Sequence, residues 1–167
     1  PDNGKDKEQL PPATQSGENT FGCLVNGEVW RPHSENTFYG NALNASYGLG
    51  QLNINASLDS TMMNGNRLLQ SVDMYINKYF KTAGKYNFKK YSKDSIDKIN
   101  YARYESGYND VCQYYTYNNE GYIKINRLDS INNIVSGRFE FTAVNDSCGE
   151  LDTIRVTDGR FDIKYAH

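Results

Sequence analysis

Tyrosine side chains are concentrated in the middle of the chain, at a spacing that could provide a binding surface. Seven of the 14 tyrosines lie between positions 101 and 122, among several asparagines. Tyrosine rings can stack on a sugar or a peptide, and asparagine amides can hydrogen-bond to its polar groups. The tyrosines that best suit such a platform are Tyr101, Tyr104, Tyr108, Tyr115 and Tyr117. The same spacing also fits tyrosines that fill core-edge and cross-strand positions, so both interpretations stay open.

Side chains for acid–base or nucleophilic catalysis are sparse. His33 and His167 are the only two histidines, so a Ser-His-Asp or Cys-His arrangement would depend on His33 alone. Glu140 and Asp162 lie at outward positions of C-terminal strands and could form the pair of carboxylates that glycoside hydrolysis needs. Acids at such positions more often form cross-strand ion pairs with arginines. We therefore predict no catalytic residues and a protein that is not an enzyme; a carboxylate-dependent glycoside hydrolase is the remote alternative.

Metal, phosphate and nucleic-acid chemistry are not indicated by the sequence. Asp146, Asp152 and Asp158 could offer oxygen ligands to Ca²⁺, but without a dense Asp-x-Asp-x-Asn run turn chemistry explains them better. The glycine-containing stretch GLGQLNINA precedes a strand and lacks the lysine and the helix of a phosphate-binding loop. The 18 basic and 20 acidic residues are interspersed and give a net charge of -2, which creates no strong field for a polyanion. We predict no metal, no cofactor and no nucleic-acid partner.

The three cysteines indicate a disulfide without fixing its connectivity. Cys23, Cys112 and Cys148 are widely spaced, and no C-x-x-C pair or nearby histidine completes a zinc site. One disulfide and one buried thiol would fit an exported protein, whereas three buried, apolar cysteines would fit nearly as well. The pairing that we consider joins Cys23 to Cys148, which would tie the first hairpin to the last strands.

The elements that must position these side chains are indicated by apolar residues at every second position. The stretches FGCLV and EVWRP flank Asn26-Gly27, a strong hairpin signal because both turn positions tolerate positive φ. Within this hairpin Cys23 and Trp30 are expected to be buried anchors. In residues 51–59 apolar and polar side chains alternate, as in a strand with one face exposed to solvent. The turn signal Asn-Gly at positions 64–65 leads into the next strand.

The C-terminal half continues the same pattern and sets the expected fold class. We predict a strand over 101–105, a hairpin whose turn spans 118–121, and a final hairpin at Asp158-Gly159. No segment shows helical apolar spacing of convincing length. The sequence therefore predicts an all-β fold of about nine to ten strands, arranged as an antiparallel two-layer β-sandwich or a partly closed β-barrel.

Domain organisation follows from a change in composition near position 20. Residues 1–19 are polar with little to bury, which is typical of a disordered tether that follows an export signal; an arbitrary boundary within a longer protein is the alternative. We expect residues 20–167 to form a single all-β domain, since they are too few for two domains that each bury a hydrophobic core of their own. No run approaches the roughly 20 apolar residues of a membrane-spanning helix.

Two blocks of sequence resemble a family of Bacteroidetes lipoproteins of unknown function. The blocks are LPPATQSGENTFGCLVNGEVW near the start and GRFEFTAV with CGELDTIRVTDGRFDIKY at the end. The resemblance implies an export signal and a lipidated cysteine just before Pro1, followed by the tether. It implies an outer-membrane lipoprotein that faces the periplasm or the cell surface and contacts the membrane only through this anchor. It implies no activity, because the family has none established.

The resemblance also implies O-glycosylation, since bacteria of this group modify exported proteins at Asp-Ser/Thr followed by an aliphatic residue, Thr or Ala. The matching acceptors are Ser60, Ser95, Ser130 and Thr153. Ser60 and Ser130 are the best placed because both are expected in turns. The alternative is ordinary turn chemistry, in which Asp-Ser pairs are common.

We therefore expect a non-enzymatic module of the cell envelope with a binding or interaction role whose partner the sequence does not name. A glycan and an envelope protein are the two candidate partners. The more specific alternative is a carbohydrate-binding accessory protein that uses the surface rich in Tyr and Asn.

Overall fold

A computed structural model describes residues 9–34, 41–77, 80–94, 100–108, 111–145, 148–149 and 151–166. Within these residues the chain forms eleven β-strands and no α-helix. The strands are β1 (Thr20–Val25), β2 (Glu28–Trp30), β3 (His33–Ser34), β4 (Leu43–Gly48), β5 (Gln51–Thr61), β6 (Arg67–Ile76), β7 (Gly84–Asn87), β8 (Tyr101–Gly107), β9 (Val111–Asp129), β10 (Ile134–Asn145) and β11 (Asp152–Lys164). No helix in this part of the chain is long and apolar enough to cross a membrane.

The strands belong to one curled, mixed sheet that forms a half-barrel. Its main path of hydrogen-bonded neighbours is β2-β1-β11-β10-β9-β8-β6-β5-β3, with β4 added to β5 and β7 added to β9. The named strand pairs are antiparallel apart from β3 with β5. The predicted all-β, partly closed barrel is confirmed, and the sheet does not divide into two stacked layers.

The half-barrel is drawn together by two connections between distant strands. The segment that carries β2 and β3 pairs with β1 at one end and with β5 at the other. At the end of β11, the N–H of Ala166 donates to the carbonyl of Ala45 and its own carbonyl accepts from the N–H of Tyr47, both at 2.9 Å. Strands from opposite ends of the main path are thus joined, which limits the unpaired edge that a flat sheet would expose.

Two predicted hairpin turns are wrong, because the structure has a β-bulge at each place. The strand β9 runs unbroken through the predicted turn at 118–121, and β11 runs unbroken through Asp158-Gly159. Both sites contain residues with positive φ, Asn118 at 53° and Asp158 at 52°, and the pairing with β10 shifts register beside each of them. Positive φ serves a bulge as well as it serves a turn. The turn at Asn26-Gly27, with φ of 50° and 88°, is confirmed.

The interior of the half-barrel is filled with aromatic and aliphatic side chains. The ring of Phe139 lies 5.1 Å from that of Phe21 and 6.3 Å from that of Phe161, measured between centroids. Cys23 and Trp30 are directly paired across β1 and β2, and both are buried, as expected for anchors. Each large apolar side chain that is fully buried contributes roughly 1.5–3 kcal/mol to stability.

Residues 9–19, which we call the N-terminal strap, lie on the outside of the sheet. The backbone N–H groups of Ser16, Gly17 and Glu18 donate to the carboxylate of Asp162 at 2.9, 2.8 and 3.2 Å. Arg127 also donates to the carbonyl of Gln15 at 2.6 Å. The expected disordered tether over residues 1–19 is therefore wrong for this part, since the strap is hydrogen-bonded to strands β9 and β11.

The disulfide joins Cys112 to Cys148 and leaves Cys23 as a buried thiol. The prediction of one disulfide with one buried thiol is thus confirmed, but the pairing of Cys23 with Cys148 is wrong. Asn145 at the end of β10 is directly paired with Tyr114 of β9, which brings the following residues beside the start of β9. Cys23 faces the core instead, and burial raises the pKa of its thiol to about 12.

Candidate ligand-binding clefts

The outer face of the sheet carries a continuous row of side chains across seven strands. Directly paired residues of antiparallel strands point to the same face, so the register alone defines this row. From β11 to β4 it consists of Thr153, Val144, Tyr115, Arg103, Asp73, Asn55 and Asn44. Aromatic and hydroxyl groups lie at the β11 end, and charged and amide groups lie at the β4 end.

Four tyrosine rings, that of Tyr115 among them, form two stacked pairs joined by one tilted contact, and we call this group the stack. The ring centroids of Tyr75 and Tyr101 are 4.6 Å apart, those of Tyr101 and Tyr91 are 5.0 Å apart, and those of Tyr91 and Tyr115 are 3.9 Å apart. Tyr91 is fixed by its backbone N–H, which donates to the carbonyl of Thr116 at 3.0 Å. Burial raises the pKa of Tyr75 and of Tyr101, so these rings stay uncharged across the physiological range. The four rings together form a continuous aromatic wall.

One end of the stack borders a cleft of about 440 Å³ on the outer face, which we call the tyrosine cleft. Its aromatic lining comes from Tyr91, Tyr115 and Tyr117, and its aliphatic lining comes from Val144 and Leu151. The polar lining consists of Thr116, Asn118, Thr142, Thr153, Lys90 and Glu120. The mixture of ring faces with hydroxyl and amide groups suits a ligand that has both apolar and hydrogen-bonding surface.

The rim of the tyrosine cleft is open to solvent. The side chain of Tyr117 is 41% exposed and that of Leu151 is 79% exposed. The Lys90 ammonium lies 4.5 Å from the centroid of the Tyr117 ring, close enough for a cation–π contact that steadies the ring. The cleft therefore presents an ordered ring to an incoming ligand.

A second cleft of about 410 Å³ lies on the same face, and we call it the polar trough. At one end Arg67 forms a bidentate ion pair with Asp59. At the other end Arg103, with Glu105 3.1 Å away, donates to the fully buried Asp73 at 2.8 and 3.0 Å. The trough is thus lined by charged groups that are already paired with one another.

Electrostatic shifts in the polar trough follow these pairs. The hydrogen bond from Arg67 lowers the pKa of Asp59 below its ordinary value. Burial acts to lower the pKa of Arg103, but the negative charges of Asp73 and Glu105 outweigh it and raise that pKa. Both arginines and the Asp59 carboxylate are therefore charged at neutral pH, and the trough holds preformed donors and acceptors side by side.

The structure brings two of the five predicted tyrosines, Tyr115 and Tyr117, into one cleft. Tyr101 belongs to the stack but is only 6% exposed, and Tyr104 lies in the core at 5% exposure. Tyr108 is 50% exposed but does not line the tyrosine cleft. Tyrosines on one strand divide between the two faces by the two-residue period, which separates Tyr104 from the platform.

Sequence reasoning missed Tyr91, Lys90 and Thr153 as lining residues of the cleft. Tyr91 and Lys90 fall in the stretch KYNFKKYSKDSIDKINYARYE, whose residue pattern fits a short helix in one part and a strand in another. Thr153 was singled out only as a glycosylation acceptor, and its place opposite Val144 depends on the register of β10 with β11. The one signal available was the position of Thr153 directly before Ile154, whose side chain the alternating pattern turns inward.

The carboxylates considered for hydrolysis do not come together. Asp162 is paired with Ser136 of β10 and is covered by the N-terminal strap, whereas Glu140 is exposed four positions further along β10. This offset corresponds to roughly 14 Å along a strand. Among the described residues, no group of three or more His, Cys, Asp or Glu side chains could hold a metal ion.

The candidate glycosylation acceptors lie in different surroundings. Ser130 is exposed in the turn after β9, in agreement with its expected position. Ser60 lies within β5 and is only partly exposed, so its expected turn position is wrong. Thr153 is exposed on β11, and Ser95 lies outside the described residues. Modification at any of the four stays a prediction.

Comparison with known proteins places the chain by its sequence family. No curated protein and no solved structure matches it significantly. The family model described as "Domain of unknown function (DUF6252)" matches residues 20–162, which include every strand from β1 to β10 and most of β11. The chain therefore belongs to this family of domains of unknown function.

Proposed function

We propose that the protein is a non-enzymatic module of the cell envelope that binds a carbohydrate in the tyrosine cleft. The observation that carries the proposal is the convergence of three tyrosine rings with threonine and asparagine side chains in one open cleft. A sugar ring presents C–H groups that stack on an aromatic face and hydroxyl groups that hydrogen-bond at its edge. The cleft offers partners for both.

A peptide bound as an added strand suits this position less well. Strand β9 is paired with β10 up to Thr116 and again from Gly121, and on its other side it is paired with β8 up to Tyr115 and with β7 from Tyr122. Strand addition needs a long free sheet edge, and the stretch of β9 outside these pairs is only four residues long, flanked by the N–H groups of Tyr91 and Phe88, which donate to the carbonyls of Thr116 and Gly121. Recognition in the tyrosine cleft therefore relies mainly on side chains, as carbohydrate binding does.

A binding role fits the charges of the cleft better than hydrolysis does. Glu120 is the one carboxylate among the described residues that line it, and Lys90 is the one cation. Glycoside hydrolysis ordinarily needs two carboxylates that face the same bond. The proposal of a non-enzymatic protein rests on this arrangement.

We also propose that the protein is exported and held at the cell envelope by a lipid anchor upstream of the strap. The disulfide between Cys112 and Cys148 supports export, because disulfides persist in oxidising compartments. Metabolic labelling of the native host with a fatty acid analogue should place the label on the full-length protein in the membrane fraction. Unlabelled protein found in the cytosol would contradict this part of the proposal.

The binding proposal is tested by a glycan array followed by calorimetry with the strongest hit. Tyr117→Ala and Tyr115→Ala should each weaken binding by about tenfold or more, because an aromatic stacking contact contributes roughly 1 kcal/mol beyond its buried area. Tyr108→Ala is the matched control, since it removes an exposed tyrosine outside the cleft. An array without hits, or equal losses in all three variants, would overturn the proposal.

A further inference from the structure

The tyrosine cleft and the polar trough adjoin on the outer face of the sheet. Tyr115 lines the cleft, Arg103 lines the trough, and the two residues are directly paired between β9 and β8. Side chains of such a pair have Cβ atoms only about 5 Å apart. A ligand that fills the cleft and continues past Tyr115 therefore enters the trough without crossing another strand.

The combined length of the two clefts is set by the strand spacing. Thr153 on β11 marks one end and Asn55 on β5 marks the other, with β10, β9, β8 and β6 between them. Neighbouring strands lie about 4.8 Å apart, so this row extends over roughly 24 Å; the Arg67–Asp59 pair, four residues along β5 from Asn55, brings the length of the two clefts to roughly 28 Å. One sugar unit lengthens an extended glycan by about one strand spacing, so the span accommodates about five to six units.

The charges along this path balance one another. Three cations and three carboxylates line the two clefts among the described residues: Lys90, Arg67, Arg103, Glu120, Asp59 and Glu105. An anionic glycan needs an excess of cations, which this path does not offer. Paired arginine and carboxylate groups instead present a donor beside an acceptor, which suits adjacent hydroxyl groups of an uncharged sugar.

We propose that the ligand is a neutral, linear oligosaccharide that lies across the strands and occupies the tyrosine cleft and the polar trough together. This inference rests on the proposed carbohydrate binding and adds to it the class and the length of the ligand. The tyrosine rings of the tyrosine cleft stack on one end of the oligosaccharide. Ion pairs of the trough, in which Asp73 holds Arg103 and Asp59 holds Arg67, hydrogen-bond the other end without having to be ordered on binding.

The test uses the wild-type protein and neutral oligosaccharides of two to six units from the cello-, malto-, xylo- and chito- series, with oligogalacturonides as anionic counterparts. Within the series that binds, affinity measured by calorimetry should rise by about tenfold or more from two units to five and then level off. The double variant Asp59→Asn with Arg67→Gln should lose this gain for five units. Its affinity for two units should stay unchanged, whereas Tyr117→Ala should weaken the binding of both lengths.

The outcomes separate this inference from the proposed function. If neither the array nor any of these series gives binding, the proposed function fails and this inference fails with it. Binding that is equally tight for two and five units, or tighter for oligogalacturonides, overturns this inference alone. Should the double variant not fold, the length series on the wild-type protein still decides the outcome.

Discussion

The carboxylate of Asp162 holds the N-terminal strap, so the substitution Asp162→Asn tests how the strap is fixed. Two backbone donors, Ser16 and Glu18, share one carboxylate oxygen, and Gly17 donates to the other. Asparagine has a single oxygen and an NH₂ group in place of the second. The variant must therefore turn a donor toward at least one of the three backbone N–H groups.

The size of the effect follows from the burial of these groups. A buried N–H that loses its acceptor costs about 1–3 kcal/mol, and the remaining hydrogen bonds lose the charge that strengthened them. We expect Asp162→Asn to lower the free energy of unfolding by about 2–4 kcal/mol. For a chain of 167 residues this corresponds to a Tm lower by roughly 5–15 °C.

The loss of stability in Asp162→Asn should depend on pH, whereas a mere loss of packing would not. Burial acts to raise the pKa of Asp162, but the hydrogen bonds from the backbone N–H groups of the strap outweigh it and lower that pKa below its ordinary value. A carboxyl group with a lowered pKa stabilises the fold above its unfolded pKa of about 3.9, and this contribution is lost as the pH falls toward the folded pKa. The deficit of the variant should therefore be full at pH 7 and smaller at pH 3.

Urea unfolding monitored by the fluorescence of Trp30, the single tryptophan, measures this deficit at both pH values. Asp158→Asn is the matched control, because Asp158 lies on the same strand, is exposed, and has a positive φ that asparagine accepts. The control should unfold like the wild type. An Asp162→Asn variant as stable as the wild type at pH 7, or one with the same deficit at both pH values, would refute the reasoning.

Two further predictions concern stability. The double variant Cys112→Ser with Cys148→Ser should unfold with a free energy lower by about 4 kcal/mol, because the disulfide joins residues 36 positions apart; denaturant unfolding measures this loss. Titration of denatured, unreduced wild type should find one thiol, that of Cys23, and three thiols would contradict the disulfide. Gly159→Ala should lower the free energy of unfolding by about 1–3 kcal/mol, because the added Cβ would lie 2.6 Å from ring atoms of a buried phenylalanine on β10. Gly48→Ala has no atom within 4 Å of its Cβ and is the control, so an equal Tm for both alanine variants would contradict this account.

The sequence was sufficient to predict strands and the first turn, but not the difference between a turn and a bulge. Asn26-Gly27 forms a hairpin because the apolar pattern on each side ends at the dipeptide. The segments at 118–121 and at Asp158-Gly159 contain the same residue types, yet β10 continues past both and keeps each neighbour extended. Only the partner strand distinguishes the two outcomes, and pairing between distant strands is not encoded in a local pattern.

The candidate site was only partly predictable, and the reason is related. The two-residue period places Tyr115 and Tyr117 on one face of β9, but tyrosine suits a wet face and a buried one alike, so the period does not tell which face is outside. The contribution of Tyr91 depends on its stacking against Tyr115, which the fold alone creates. The ordered structure of the strap was not predicted, because the strap is held by hydrogen bonds to Asp162, about 145 positions away along the chain.

The bulge in β9 explains how one strand serves both the core and the clefts. The strand is 19 residues long. Before the bulge its odd-numbered residues, such as Tyr115, face outward, whereas after it the odd-numbered Ile123 and Ile125 are buried. Between Thr116 and Gly121, β9 contains three more residues than the facing part of β10. Without this odd number of extra residues, a strict period of two would turn those isoleucines to solvent or Tyr115 into the core. Asn118, whose positive φ helps to form the bulge, itself lines the tyrosine cleft, so the local irregularity that resembles a turn in the sequence lies at the proposed binding site.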